Sequence, residues 1–240
     1  MNKLPEPPEW GNDRITNFFD KVRENSFATF VKSKELLARL ININGIFCSA
    51  IEYMNYSKNW FELFFFLKAH SSFLAATGLA IGTQIPEAYM ILRGVVENSL
   101  YGLFIHKKPE LAEIWLNRHE SEADKKAVKE KFKIGGMLGL LETIDSKLGK
   151  IAKSLYERTI DYGAHPNERS LSSMLKQNKK DNDIEFKLSY LTDERIVIEL
   201  CLKSSAQIGV LSLKILELIL PERFRITGLS EKLDIVSKDL

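Results

Sequence analysis

The sequence predicts an all-α fold, a multi-helix bundle. Apolar residues recur at three- and four-residue steps along most of the chain, and proline or Ser/Asp signals punctuate them at helix-length intervals. Period-two alternation is confined to a short stretch near residues 170–190. A length of 240 residues suits one domain with a core of its own. The organisation expected is therefore a single helical domain over 1–240, with an N-terminal extension at 1–12 and a C-terminal tail at 222–240.

From Asp13, residues Ile15, Phe18, Phe19, Val22, Phe27, Phe30 and Val31 build one apolar face, as a long amphipathic helix requires. Asn42, Asn44 and Gly45 are expected to bend or break it. The next segment is apolar nearly all round from Trp60 to Leu67, the pattern of a helix surrounded by others. Its Gly78 and Gly82 would admit a close neighbour. Pro86 suits the first turn of the helix that follows, and Pro109 and the Ser121-to-Asp124 spacing start two shorter ones.

After Gly135 and Gly136 come two more helices, the second ended near Gly163 and Pro166. Ile184, Phe186, Leu188 and Tyr190 then alternate with polar residues, so a small β-hairpin insertion is expected near 170–190. A long closing helix starts at Thr192 or Asp193 and stops at Pro221. Its apolar residues fall on several sides, as with Ile196, Val197, Leu200 and Val210, which fits deep burial and a homodimer seam equally.

A net charge of +2 commits the chain to no class of partner, and acids interrupt both basic runs, 124–133 and 176–183. Cys48 and Cys201 each lie in an apolar run and are read as reduced core residues. The start has prolines and acids where a secretory signal needs a basic and then an apolar segment, so a cytoplasmic location is expected. Residues 69–86 lack charge but carry several hydroxyls, and spanning needs about 20 mostly apolar residues. A buried soluble helix is the better reading there, and no membrane partner is expected.

Several chemistries lack their residues. Glu-x-x-His, Cys-x-x-Cys, the P-loop and the dinucleotide-binding glycine motif are all missing, and four histidines are dispersed, so neither a metal nor a cofactor is expected. His119 reads as a solvated surface residue, His106 as a complement to its helix dipole, and His70 as a core histidine with one hydrogen-bond partner.

Two constellations remain. Arg93 and Glu97 stand four apart on one helix face beside Tyr89, Leu100 and Tyr101, which sets an ion pair against the core. Such burial costs several kcal/mol per ion before pairing, so the pair needs further hydrogen bonds or a purpose. The second is "YERTIDYGAHPN", Tyr156 to Asn167. Arg158 and His165 are close to two helical turns apart, and Asp161 can reach either of them. Read without function, this is a helix C-terminus with a local salt bridge and a histidine at the negative end of the dipole.

An arginine followed by histidine at this interval, near the end of a helix in an all-α bundle, resembles the signature of the HEPN superfamily. The pairing of an Arg93–Glu97 helix with a Tyr156-to-His165 helix end is similar to uncharacterised bacterial proteins related to that group. The similarity covers about Pro86 to Pro166, with Thr159 standing where members usually carry Asn, Asp or His. The resemblance implies a metal-independent endoribonuclease of a bacterial defence or toxin system, often assembled as a dimer, whose partner is RNA. His165 would then act as general acid or base on the ribose 2′-hydroxyl and Arg158 would stabilise charge on the phosphate. Asp161 would orient His165, and Tyr162 would support either or stack on a base. The alternative is a non-catalytic helical module that binds a small ligand, a nucleotide or a protein in a polar pocket between the two helices, where Arg93, Glu97, Arg158 and His165 would form one buried network, with Tyr156 and Tyr162 as further binding residues.

Overall fold

The computed structural model describes residues 5–52, 60–164, 175–180, 183–238 and 240. They form an all-α, multi-helix bundle. Helices α1 (Arg14–Lys32), α2 (Lys34–Glu52), α3 (Trp60–Ile81) and α4 (Ile85–Lys107) come first. The shorter α5 (Leu111–Leu116), α6 (Glu122–Lys131), α7 (Ile134–Ile144) and α8 (Ser146–Thr159) follow, with a 3-10 turn at Asn117–His119. A π-helical turn, Ile160–Ala164, continues α8. Two strands, β1 (Leu175–Lys180) and β2 (Asp183–Leu188), pair antiparallel with Leu175 opposite Leu188. The rest of the stretch expected as a hairpin, 170–174 and 181–182, lies outside the described residues. The chain closes with α9 (Arg195–Ile219), α10 (Pro221–Ile226) and α11 (Leu229–Ser237).

The core is built around α4 and α9, which touch each other and both touch α3 and α8. Leu92, Val95 and Leu103 of α4 and Leu202, Ile208 and Leu213 of α9 are buried, as is Phe73 of α3. Polar ties cross the same seam. Ser99 and Ser212 share a hydrogen bond of 2.7 Å, and Ser99 also bonds the Val95 carbonyl, which satisfies hydroxyls that burial would otherwise penalise. The segment set apart as a tail is helical: Phe224 of α10 and Leu233 of α11 are fully buried, and α11 packs on α2.

Several local expectations are corrected. The first long helix breaks at Ser33, whose backbone leaves helical geometry, while Asn42, Asn44 and Gly45 sit inside α2. The apolar face of α1 is not a core face: Phe27, Phe30 and Val31 are 62%, 53% and 64% exposed, and Thr29 is the buried residue. Nor is α3 enclosed all round, since Phe64, Leu67 and Leu74 form an exposed stripe. By length and composition alone, Phe61–Ile81 and Arg195–Ile219 could each span a membrane, with 33% and 56% of the apolar window buried within the bundle.

Of the two glycines of α3's end, Gly78 has open space beside it, whereas a Cβ on Gly82 would sit 2.8 Å from Val22 of α1. Cys201 is buried and its thiol is pushed up to about 12 by that burial, but Cys48 is exposed. Among the remaining histidines, His70 is half-buried, stacks on Phe47 at 5.0 Å and places Nε2 2.7 Å from Asn44 Oδ1. His106 has a partner the sequence did not suggest, Glu62 at 3.5 Å.

Candidate functional site

The end of α8 carries the candidate residues Arg158, Asp161 and Tyr162, and its local structure follows from two others. Thr159 is fully buried and returns its hydroxyl to the Tyr156 carbonyl at 2.7 Å. A hydroxyl spent on its own helix takes no part in a polar site. Beyond it the backbone widens into the π-helical turn, a geometry that recurs at functional sites. Gly163 permits this turn to lie directly on the start of α4. A Cβ there would collide with the Pro86 carbonyl oxygen and come within 2.8 Å of Tyr89 Cβ.

Tyr156 and Arg158 are two residues apart on α8 and so point about 200° apart around it. Tyr156 faces α4. Its hydroxyl donates to Glu97 Oε1 at 3.2 Å, and the same oxygen accepts from Arg93 Nε at 2.7 Å. The Arg93 guanidinium also lies 5.4 Å from the centre of the Tyr156 ring. Both members of the ion pair are partly exposed, 29% and 31% by side chain, so the desolvation cost is smaller than full burial would impose. Burial works against the charge of Arg93, but Glu97 more than restores it and leaves the guanidinium above the ordinary arginine value. Burial, with Glu97 beside it, raises Tyr156 as well.

Arg158 faces α9. Its Nη1 donates to Gln207 Oε1 at 2.7 Å and to Ser204 Oγ at 3.2 Å. Both acceptors are neutral. Among the described residues no carboxylate pairs with Arg158, so Asp161 does not form the salt bridge with it that the sequence allowed. Ser204 Oγ also shares a hydrogen bond of 3.1 Å with the hydroxyl of Tyr89, a phenol raised well above its ordinary value by burial and by Cys201 beside it. Tyr89 in turn stacks on Tyr162 of the π-helical turn, ring centres 5.3 Å apart. The order Tyr162, Tyr89, Ser204, Arg158 is thus one continuous set of contacts joining α4, α8 and α9.

Two concavities meet at Arg158. One, of about 480 Å³, is lined by Ile85, Tyr89, Tyr162, Val197, Leu200 and Lys203. The other, of about 730 Å³, runs between α8 and α9 past Lys147, Lys150, Ser154 and Lys214. Arg158 and Gln207 line both.

The structure therefore brings Arg158 and Tyr162 to one cavity and gathers Arg93, Glu97 and Tyr156 on another side of α8. Asp161 lies on the same π-helical turn as Tyr162. His165 lies outside the described residues. Sequence reasoning missed Tyr89, Ser204 and Gln207. The signal was available in the run Ser204-Ser205-Ala206-Gln207, polar residues inside an otherwise apolar helix, which must find partners when buried. Among the described residues no cluster of His, Cys, Asp and Glu could hold a metal ion. Comparison with family models, curated proteins and solved structures returns no match.

Proposed function

We propose that this chain binds a phosphate-bearing ligand of the RNA or nucleotide class at Arg158, and that it is a HEPN-like, metal-independent endoribonuclease in which His165 is the acid–base partner. One observation carries the reading: a half-buried guanidinium, fixed by two neutral acceptors and lacking a carboxylate among the described residues, forms a wall common to two cavities. Neutral partners orient the planar fork without cancelling its charge, which suits it to a phosphate oxygen. In the reaction an imidazole takes the proton of a ribose 2′-hydroxyl, that oxygen attacks the adjacent phosphorus, and the 5′-oxygen leaves. Arg158 holds the charge that builds on the phosphate oxygens.

A second reading, a binding module without catalysis, is favoured by the same preorganised arginine and differs only in the part given to His165. Binding and cleavage of a labelled mixed-sequence RNA by wild type, Arg158→Gln and His165→Ala separate the two. The expected outcome is about a tenfold or greater loss of affinity for Arg158→Gln, as for removal of a charge-assisted hydrogen bond, and loss of cleavage with retained binding for His165→Ala. Retained binding by Arg158→Gln overturns the phosphate site. Binding without cleavage by the wild type leaves the module.

A further inference from the structure

We propose that the two concavities flanking Arg158 are the halves of one nucleotide groove, the smaller taking a base and the larger the sugar–phosphate chain that continues from it. This rests on the reading of Arg158 as a phosphate ligand and adds a direction to it.

The two halves differ in chemistry in the way a nucleotide differs along its length. The 480 Å³ cavity has a volume typical of small-molecule sites and a largely apolar wall of Ile85, Val197 and Leu200. It also holds the Tyr162 ring, 41% exposed. Aromatic rings of this kind stack on any base, because every base has a π-face. The larger cavity carries three lysines, Lys147, Lys150 and Lys214, among apolar residues such as Ile151, Leu155 and Val210, whereas the smaller has one, Lys203. Lys147 and Lys150 line it and have no acidic partner among the described residues, while Lys214 is held by Glu217 and Asp234. The acid on that wall, Asp145, uses Oδ1 to cap α8 through the Leu148 N–H. Exposed lysines beside a groove track a phosphate chain through charge, with weak demands on geometry.

Arg158 lines both the smaller cavity and the lysine-richer one. A phosphate on its guanidinium is therefore the junction between a stacked base on one side and the continuing backbone on the other. A mononucleotide needs only the smaller half, whereas an oligonucleotide uses both.

Calorimetric titration of the full chain tests this with adenosine monophosphate, inorganic phosphate and a short single-stranded RNA, in a His165→Ala background that keeps the RNA intact. Leu200→Trp fills the smaller cavity from an exposed position. It is expected to weaken the mononucleotide at least about tenfold, the scale of a lost base stack, and to leave inorganic phosphate unchanged. Tyr162→Leu is expected to weaken the mononucleotide in the same direction. Lys147→Gln with Lys150→Gln is expected to spare the mononucleotide, weaken the RNA about tenfold and reduce its salt slope by roughly 1.4. Wild-type mononucleotide affinity in both Leu200→Trp and Tyr162→Leu overturns the base half. Equal effects of the lysine changes on mononucleotide and RNA, or none on RNA, overturn the backbone half. Loss of all three ligands in Arg158→Gln alongside either result confines the failure to the groove, and wild-type binding by Arg158→Gln removes the phosphate site itself.

Discussion

Arg158 owes its position to residues that carry no charge, and Gly163 controls where the chain goes after it. The π-helical turn rests on the α4 backbone at Pro86, so any side chain at Gly163 must push the turn away from α4 and unstack Tyr162 from Tyr89. Gly163→Ala is expected to lower stability by about 1–3 kcal/mol, the usual range for overpacking against a rigid neighbour. A denaturant midpoint measured against wild type checks this, and an unchanged midpoint would mean that α4 gives way freely. Thr159 shows the same economy on a smaller scale. Its hydroxyl bonds its own helix and its methyl is buried, so the residue next to Arg158 serves packing.

At the scale of elements, α2 and α3 meet through His70. Burial lowers its pKa below the unfolded value, so the unfolded chain binds the proton more readily than the native one. The stability that neutral His70 contributes is present above about pH 6.5, the ordinary histidine value, and is lost as pH falls through the folded pKa. Unfolding midpoints for wild type should fall between about pH 7 and pH 5 more steeply than those of His70→Gln; parallel curves would assign the acid sensitivity to other groups.

Most elements were legible in the sequence because their signals are local. Pro86 at the first turn of α4, Ser121 capping α6 through the Asp124 N–H and Pro221 after α9 each act within a few residues. The break at Ser33 was not legible, since a serine between two helix-forming segments carries no signal as strong as Asn or Gly. The site was half legible: Arg158 and Tyr162 lie within one helix end, but their partners Ser204, Gln207 and Tyr89 come from helices that only packing brings near. Helical spacing placed Arg93 beside Glu97 correctly. It could not tell that Tyr156 would complete that set while Arg158 turned to the other side.

For the molecule as a whole, burial is unevenly shared. Helix α9 buries residues along nearly its full length, from Cys201 to Ile219, whereas α1 buries Thr29 and lays a face of phenylalanines against solvent. Regions with few buried apolar contacts open first. Amide exchange followed by mass spectrometry should therefore show α1 exchanging long before the middle of α9, and matched rates would point to a single cooperative unit. One fastening of α1 is at Thr83, in the α3–α4 turn. Its hydroxyl accepts from Asn25 Nδ2 at 2.8 Å and its carbonyl accepts from the Thr192 N–H at 3.2 Å.

Thr83 also holds φ at 65°, a left-handed conformation that branched side chains resist. A glycine would relax that backbone but surrender the hydroxyl that anchors Asn25, and an asparagine would tolerate the angle while offering a longer arm. The knot therefore sets ease of conformation against grip: a glycine that loosens the turn also gives up its hold on the first helix.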